Sequence, residues 1–139
     1  MCTSNEKPTY LYKLVSYTTP PPSELPEALP VSELDQSSGF AHLSTARQVP
    51  NTLKFFFGDH PRVYVLRLVY DAVEGAIKWE DPKAEVCGPR GGEGMFPHLY
   101  NGLRLGKKEV ESVRMLENRV GGWEVAIEED AAFKGWFVY

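Results

Sequence analysis

At 139 residues, with 42% hydrophobic and 24% charged side chains, the chain has a globular composition that fits one domain, residues 1–139. A domain of that size buries about 68% of its unfolded surface around a single core, and the length argues against two full domains. The net charge of −4 argues against wrapping nucleic acid, which needs clustered Lys and Arg against phosphates.

Tyr10-Leu11-Tyr12-Lys13-Leu14-Val15 is aromatic and branched and reads as a first strand. Pro20, Pro21 and Pro22 then break regular structure, because they remove donors and force extended geometry. Residues 23–38 carry Glu24, Glu27, Glu33 and Asp35 without one Lys or Arg, and Pro26 and Pro30 limit any helix. That segment reads as a solvated loop or as a lid over a site beside Gly39. Next, Gly39-Phe40-Ala41-His42-Leu43-Ser44 forms a short strand with Phe40, His42 and Ser44 on one face. Thr45-Ala46-Arg47-Gln48 has capping-box spacing and leads into a helix from about Pro50, which Gly58 ends. Its buried stripe is Val49, Leu53 and Phe56 or Phe57.

Residues 62–70 make the strongest strand, apolar on both faces and therefore central. Ile77-Lys78-Trp79-Glu80 is a further short strand, followed by a polar, glycine-rich loop over 81–95. After it come Phe96-Pro97-His98-Leu99-Tyr100 and the turn dipeptide Asn101-Gly102. Leu103-Arg104-Leu105 and residues 110–116 supply more strand material. The apolar tail after residue 120, with Trp123, Val125, Ile127, Phe133, Trp136 and Phe137, is expected to pack back as a strand or hairpin. The order is β-rich with one or two helices, hence α+β.

Cys2 and Cys87 are too few for a disulfide framework and suit a reducing compartment. No apolar run approaches the roughly 20 residues of a membrane span, and Met1 to Pro8 lack a signal peptide's apolar stretch. A cytoplasmic protein with no membrane partner is expected. Its oligomeric state leaves no mark in the sequence.

Two segments place proton-transferring groups among aromatic residues: Phe40 to Thr45, with His42, and Phe96 to Tyr100, with His98. His60 lies in the turn Gly58-Asp59-His60-Pro61 and reads as a surface residue. No HxxxH, HExxH or CxxC spacing occurs, so no metal site is expected. Neither Ser44, which caps a helix, nor Cys87 has the surroundings of a nucleophile. The loop Gly88-Pro89-Arg90-Gly91-Gly92-Glu93-Gly94 is a mobile turn or an anion cradle with Arg90 as its cation, though without Walker or dinucleotide spacing.

Two motifs in this order, Gly39-Phe40-Ala41-His42-Leu43-Ser44-Thr45 with Phe55-Phe56-Phe57-Gly58, then Trp79-Glu80 with Gly94-Met95-Phe96-Pro97-His98-Leu99-Tyr100, resemble domain-of-unknown-function family 952. The likeness covers about residues 10–116 and leaves 117–139 as a C-terminal extension packing on the core. That family is grouped with relatives of the ADP-ribosyltransferase fold, so the resemblance implies a small split β-sandwich whose cleft holds NAD in true relatives. Carried over, His42, Ser44 and Thr45 match its first motif, His98 and Tyr100 its second, and Glu80 the acid closing the preceding strand. No glutamate matches the catalytic acid of classical ADP-ribosyltransferases.

Together these readings give a cleft with His42, His98 and Tyr100 as catalytic groups. Phe40, Ser44, Thr45, Glu80, Arg90 and Phe96 contact a small-molecule substrate. One expectation is a nucleotide-like ligand, NAD by fold analogy, with His42 on ribose hydroxyls and Arg90 on phosphate. Another is a lyase, isomerase or cyclase needing no cofactor, with His42 and His98 as acid and base and Tyr100 donating to an oxyanion. A module that binds a ligand or peptide without catalysis is the alternative. Residues 23–38 and 81–95 adjoin the cleft and are expected to be mobile lids.

Overall fold

The computed structural model describes residues 7–139; Cys2 and the rest of the opening segment lie outside the described residues. The order is β1 (Tyr10–Ser16), α1 (Glu33–Ser38), β2 (Ala41–His42), α2 (Val49–Phe56), β3 (Arg62–Val69) and α3 (Tyr70–Val73). A 3-10 turn precedes β4 (Ile77–Glu80), and then come β5 (Phe96–Leu99), β6 (Val110–Glu117), α4 (Trp123–Glu129) and α5 (Ala131–Trp136). The protein is α+β, and its described residues form six strands in two antiparallel sheets of order β1-β3-β6 and β2-β5-β4.

β3 is central in the first sheet, and its two faces feed different cores. Leu66 and Leu68 pack with Leu11, Ala41, Leu43, Trp79 and Leu99, which joins the two sheets. On the other face, Val63 and Val65 pack with Tyr12, Val49, Leu53, Trp123, Ala126 and Phe133 beneath α2, α4 and α5. The layers are therefore sheet, sheet and helices. Alternation along β1 sets Lys13 on the same side as Leu11 and Val15, toward the second sheet.

Half of the capping box forms: Gln48 Oε1 accepts from the Thr45 N–H at 3.0 Å, but the Gln48 N–H goes to the Thr45 carbonyl rather than its side chain, so α2 starts after Gln48 with Pro50 in its first turn. Of the two candidate phenylalanines, Phe57 joins the core, whereas Phe56 is exposed.

Helices outnumber the one or two expected. The tail forms α4 and α5 instead of a strand or hairpin, since Trp123, Ala126, Phe133 and Trp136 recur at helical spacing. Asp130 caps α5 by accepting from the Phe133 N–H at 3.0 Å. Leu103-Arg104-Leu105 is a turn rather than a strand; Leu103 takes a positive φ of 63° between Gly102 and Gly106.

Segment 23–38 is not simply a loop. It docks on that turn through Leu29 N–H to Leu105 O at 2.8 Å and Lys107 N–H to Pro26 O at 2.9 Å. A Cβ on Gly106 would stand 2.1 Å from Glu27 O, so this close approach requires glycine. Ser32 Oγ then caps α1 by accepting from the Asp35 N–H at 3.2 Å, and Gly39, at φ 83°, ends it. No helix among the described residues is long and apolar enough to cross a membrane.

Candidate functional site

One face of the second sheet belongs to the core through Ala41, Leu43, Trp79 and Leu99. By alternation the opposite face carries His42, Lys78, Glu80, Phe96 and His98. His42 stands directly opposite His98 in the β2–β5 register, and the ring centroids are 5.1 Å apart. Sheet pairing thus unites the two motifs.

Each imidazole is held by a carboxylate through Nδ1. His98 Nδ1 lies 2.9 Å from Glu80 Oε1, and His42 Nδ1 lies 2.6 Å from Asp35 Oδ1. The Tyr100 hydroxyl donates to the same Glu80 oxygen at 2.6 Å. Lys13 Nζ donates to Asp35 Oδ2 at 2.5 Å and to the His42 carbonyl at 3.2 Å. Phe40 is buried yet belongs to neither core cluster. Instead it stacks on His98 at 4.2 Å and meets His42 at 4.6 Å and Tyr100 at 4.9 Å.

These contacts fix the protonation states. Burial would raise the Asp35 carboxyl, but the His42 hydrogen bond and the Lys13 ammonium outweigh it and hold the group below its ordinary value. Burial likewise opposes ionisation of Glu80, and the hydrogen bonds from Tyr100 and His98 win, lowering it too. Both carboxylates are therefore ionised acceptors, so each imidazole presents an Nδ1–H to its carboxylate. Burial pushes the His98 imidazole below its usual range despite the pull of Glu80. His98 is thus neutral at pH 7, with a lone pair on Nε2. Burial and the Glu80 bond push the Tyr100 phenol up to about 12, so it keeps its proton. Among the described residues neither Nε2 has a hydrogen-bond partner. The His42 side chain is 24% exposed against 1% for His98, so solvent reaches the pair from the His42 side.

Phe40, His42, Glu80, His98 and Tyr100 thus converge, with Phe96 on the same face opposite Glu80. The Tyr100 proton is committed to Glu80, which makes the phenol an orienting group rather than an oxyanion donor. Ser44 and Thr45 are buried in the joint between β2 and α2, where the Ser44 backbone pairs with Tyr12. Arg90 does not face an anion site: its guanidinium is 3.3 Å from Glu74 and 6.0 Å from the Tyr70 ring.

Asp35 and Lys13 were not among the expected site residues. The signal for Asp35 was Ser32 three residues before it and Gly39 four residues after, a capped single turn. Lys13, the one charge on a strand face shared by Leu11 and Val15, carried a weaker one.

The family model described as protein of unknown function (DUF952) matches residues 23–113, a span that contains both histidine–carboxylate pairs. The chain belongs to that family. Lys13 and the two C-terminal helices lie outside the DUF952 match. The X-ray structure of protein CC0527 from Caulobacter crescentus is similar at TM-score 0.58 and 27% identity, covering 82% of this chain and 91% of that one. The solution NMR structure of CC0527 reaches TM-score 0.62 at 24% identity over 89% and 98% of the two chains, a likeness of fold. No curated protein matches the chain.

NAD does not fit the groups present. A dinucleotide needs phosphate ligands and a hollow of several hundred Å³ (roughly 300–1,000). Arg90 is engaged with Glu74, Lys13 with Asp35, and Phe40 and His98 are only 4% and 1% exposed. Two surface hollows lie elsewhere, one against α3 and one along β6, and neither histidine lines them.

Proposed function

We propose that the protein is an enzyme that moves protons on a small metabolite, a lyase, isomerase or cyclase acting without a cofactor. One observation carries this reading: two imidazoles, each anchored through Nδ1–H on an ionised carboxylate, meet 5.1 Å apart with both Nε2 atoms unengaged. His98 is the base, because its neutral ring offers a lone pair in a dry setting beneath Phe40. His42, on the solvent side, is the acid: its Nε2 takes up a proton from solvent, making the imidazolium that Asp35 stabilises, and returns that proton to the substrate. Glu80 and Asp35 fix tautomer and orientation, as a third group does for the base in acid–base triads.

Deuterium wash-in tests the reading. The protein is incubated in D2O with a panel of small carbonyl and hydroxy compounds, and the loss of C–H signals is followed by NMR. Catalysed exchange of at least one compound is expected, slowed on the order of 100-fold or more in His98→Gln. Exchange that His98→Gln leaves unchanged would reduce the cluster to a structural one.

A further inference from the structure

We propose that this site takes a small carboxylate and that Lys78 is the residue that selects it; the inference rests on the acid–base reading above. Lys78 lies directly opposite His98 in the β4–β5 register, on the same face of the sheet. Directly opposed residues have Cβ atoms about 4.5–5.5 Å apart, within the span of a small molecule touching both side chains. Its ammonium sits 4.6 Å from the centroid of the Tyr100 ring, at the edge of the aromatic wall that Phe40 completes.

Asp35 and Lys13 form an ion pair on this face, whereas Glu80 is held by neutral donors and Lys78, two residues from it on the same face, lowers its carboxyl through space without an ion pair. Asp35 is answered by Lys13 and His42, and Glu80 accepts from Tyr100 and His98. Lys78 is exposed and makes no ion pair among the described residues. An exposed ammonium that makes no ion pair beside a neutral imidazole offers a charge-assisted contact to a single negative charge on the incoming molecule. A lone ammonium on a flexible stem suits a monoanion, whereas a phosphate ester calls for several donors. The neighbouring walls, Phe40 and Phe96, suit a short apolar body. The ligand class is therefore a carboxylic acid of a few carbons, its charge on Lys78 and its reacting carbon toward His98.

Propionate and its uncharged isostere propionamide separate charge from shape. Histidine-labelled protein is titrated with each at fixed pH while the His42 and His98 ring signals are followed by NMR. Propionate should move the His98 signal saturably and bind at least about tenfold more tightly than propionamide, as expected of a charge-assisted contact. Lys78→Gln should abolish that preference and Lys78→Arg should keep it. Lys134→Gln, which removes an ammonium paired with Glu128 beyond the site, should leave it unchanged. Equal binding of the two probes, no effect of propionate, a preference that survives Lys78→Gln, or one equally lost in Lys134→Gln would each overturn the proposal. The readout needs no turnover. Selective propionate binding with no proton exchange would defeat the acid–base reading alone, and exchange without selectivity would defeat the carboxylate site alone.

Discussion

The two histidines reach the same arrangement by different routes. Glu80 and His98 lie on neighbouring strands of one sheet, so backbone register sets their meeting, and a neutral phenol completes the group. Asp35 and His42 meet across a helix–strand joint, and their partner is a half-buried ammonium from the other sheet. The first arm depends on strand pairing alone. The second also depends on how segment 23–38 docks and on a charge pair removed from water. Different perturbations should therefore disable the two arms separately.

The largest effect is expected at Asp35. Asp35→Ala strands the Lys13 ammonium, whose side chain is 13% exposed, and should cost about 3–5 kcal/mol in urea unfolding. Exchanging Lys13 for Met in the same protein should recover most of that loss, because no unpaired charge remains. If Glu80→Gln costs as much as Asp35→Ala, charge rather than register holds the sheet-borne arm, and the contrast fails.

Gly106→Ala acts on one arm from a distance. The new Cβ would press on the Glu27 carbonyl, forcing segment 23–32 outward at roughly 1–3 kcal/mol. Because that segment leads into α1, the His42 ring signal should move by NMR while His98 stays put. Equal movement of both would show that the two arms are coupled through Phe40.

The same contrast explains what could be read in the sequence. His98 and Tyr100 are legible as proton-transferring groups among aromatic residues, and Glu80 only through the family resemblance; the β4–β5 register then brings the three together. β3 is legible as central through its apolar residues on both faces. Asp35 was hidden by prolines and acidic composition, which conceal a single capped turn whose packing comes from Leu25 and Leu29 docking at a distance. The tail differs from its expected strand: Trp, Val, Ile and Phe favour strands locally. Only the burial of Ala126 and Phe133 against Val63 and Val65 makes helices the better solution there. Arg90 drew attention for its glycines, and nothing local shows that Glu74 will claim it.

A smaller effect belongs to Tyr100. Tyr100→Phe removes one of two donors to Glu80 Oε1 and should cost roughly 1.5 kcal/mol, less than the loss at Asp35. The Glu80 carboxyl should titrate higher in that variant, measured by carbon NMR, while the Asp35 carboxyl keeps its value. A shift at Asp35 of the same size would mean that the two carboxylates share one field.

The mildest perturbation is pH, and it separates the arms by sign and window. His98 is depressed in the folded state by burial, so the unfolded chain takes up its proton first as pH falls below about 6.5. Stability associated with His98 is therefore whole above that value and declines until the folded imidazole itself protonates. Asp35 and Glu80 are also depressed, so their contributions are intact above ordinary carboxylate values, near 4, and are lost as pH falls through the lower folded ones. Urea midpoints measured from pH 8 to 3 should thus fall in two stages. His98→Gln should remove the upper stage and leave a lower one; Asp35→Asn should diminish the lower stage and leave the upper in place. An upper stage that survives in His98→Gln would move the titrating group to another site, and the neutral base assigned to the sheet-borne arm would be lost with it.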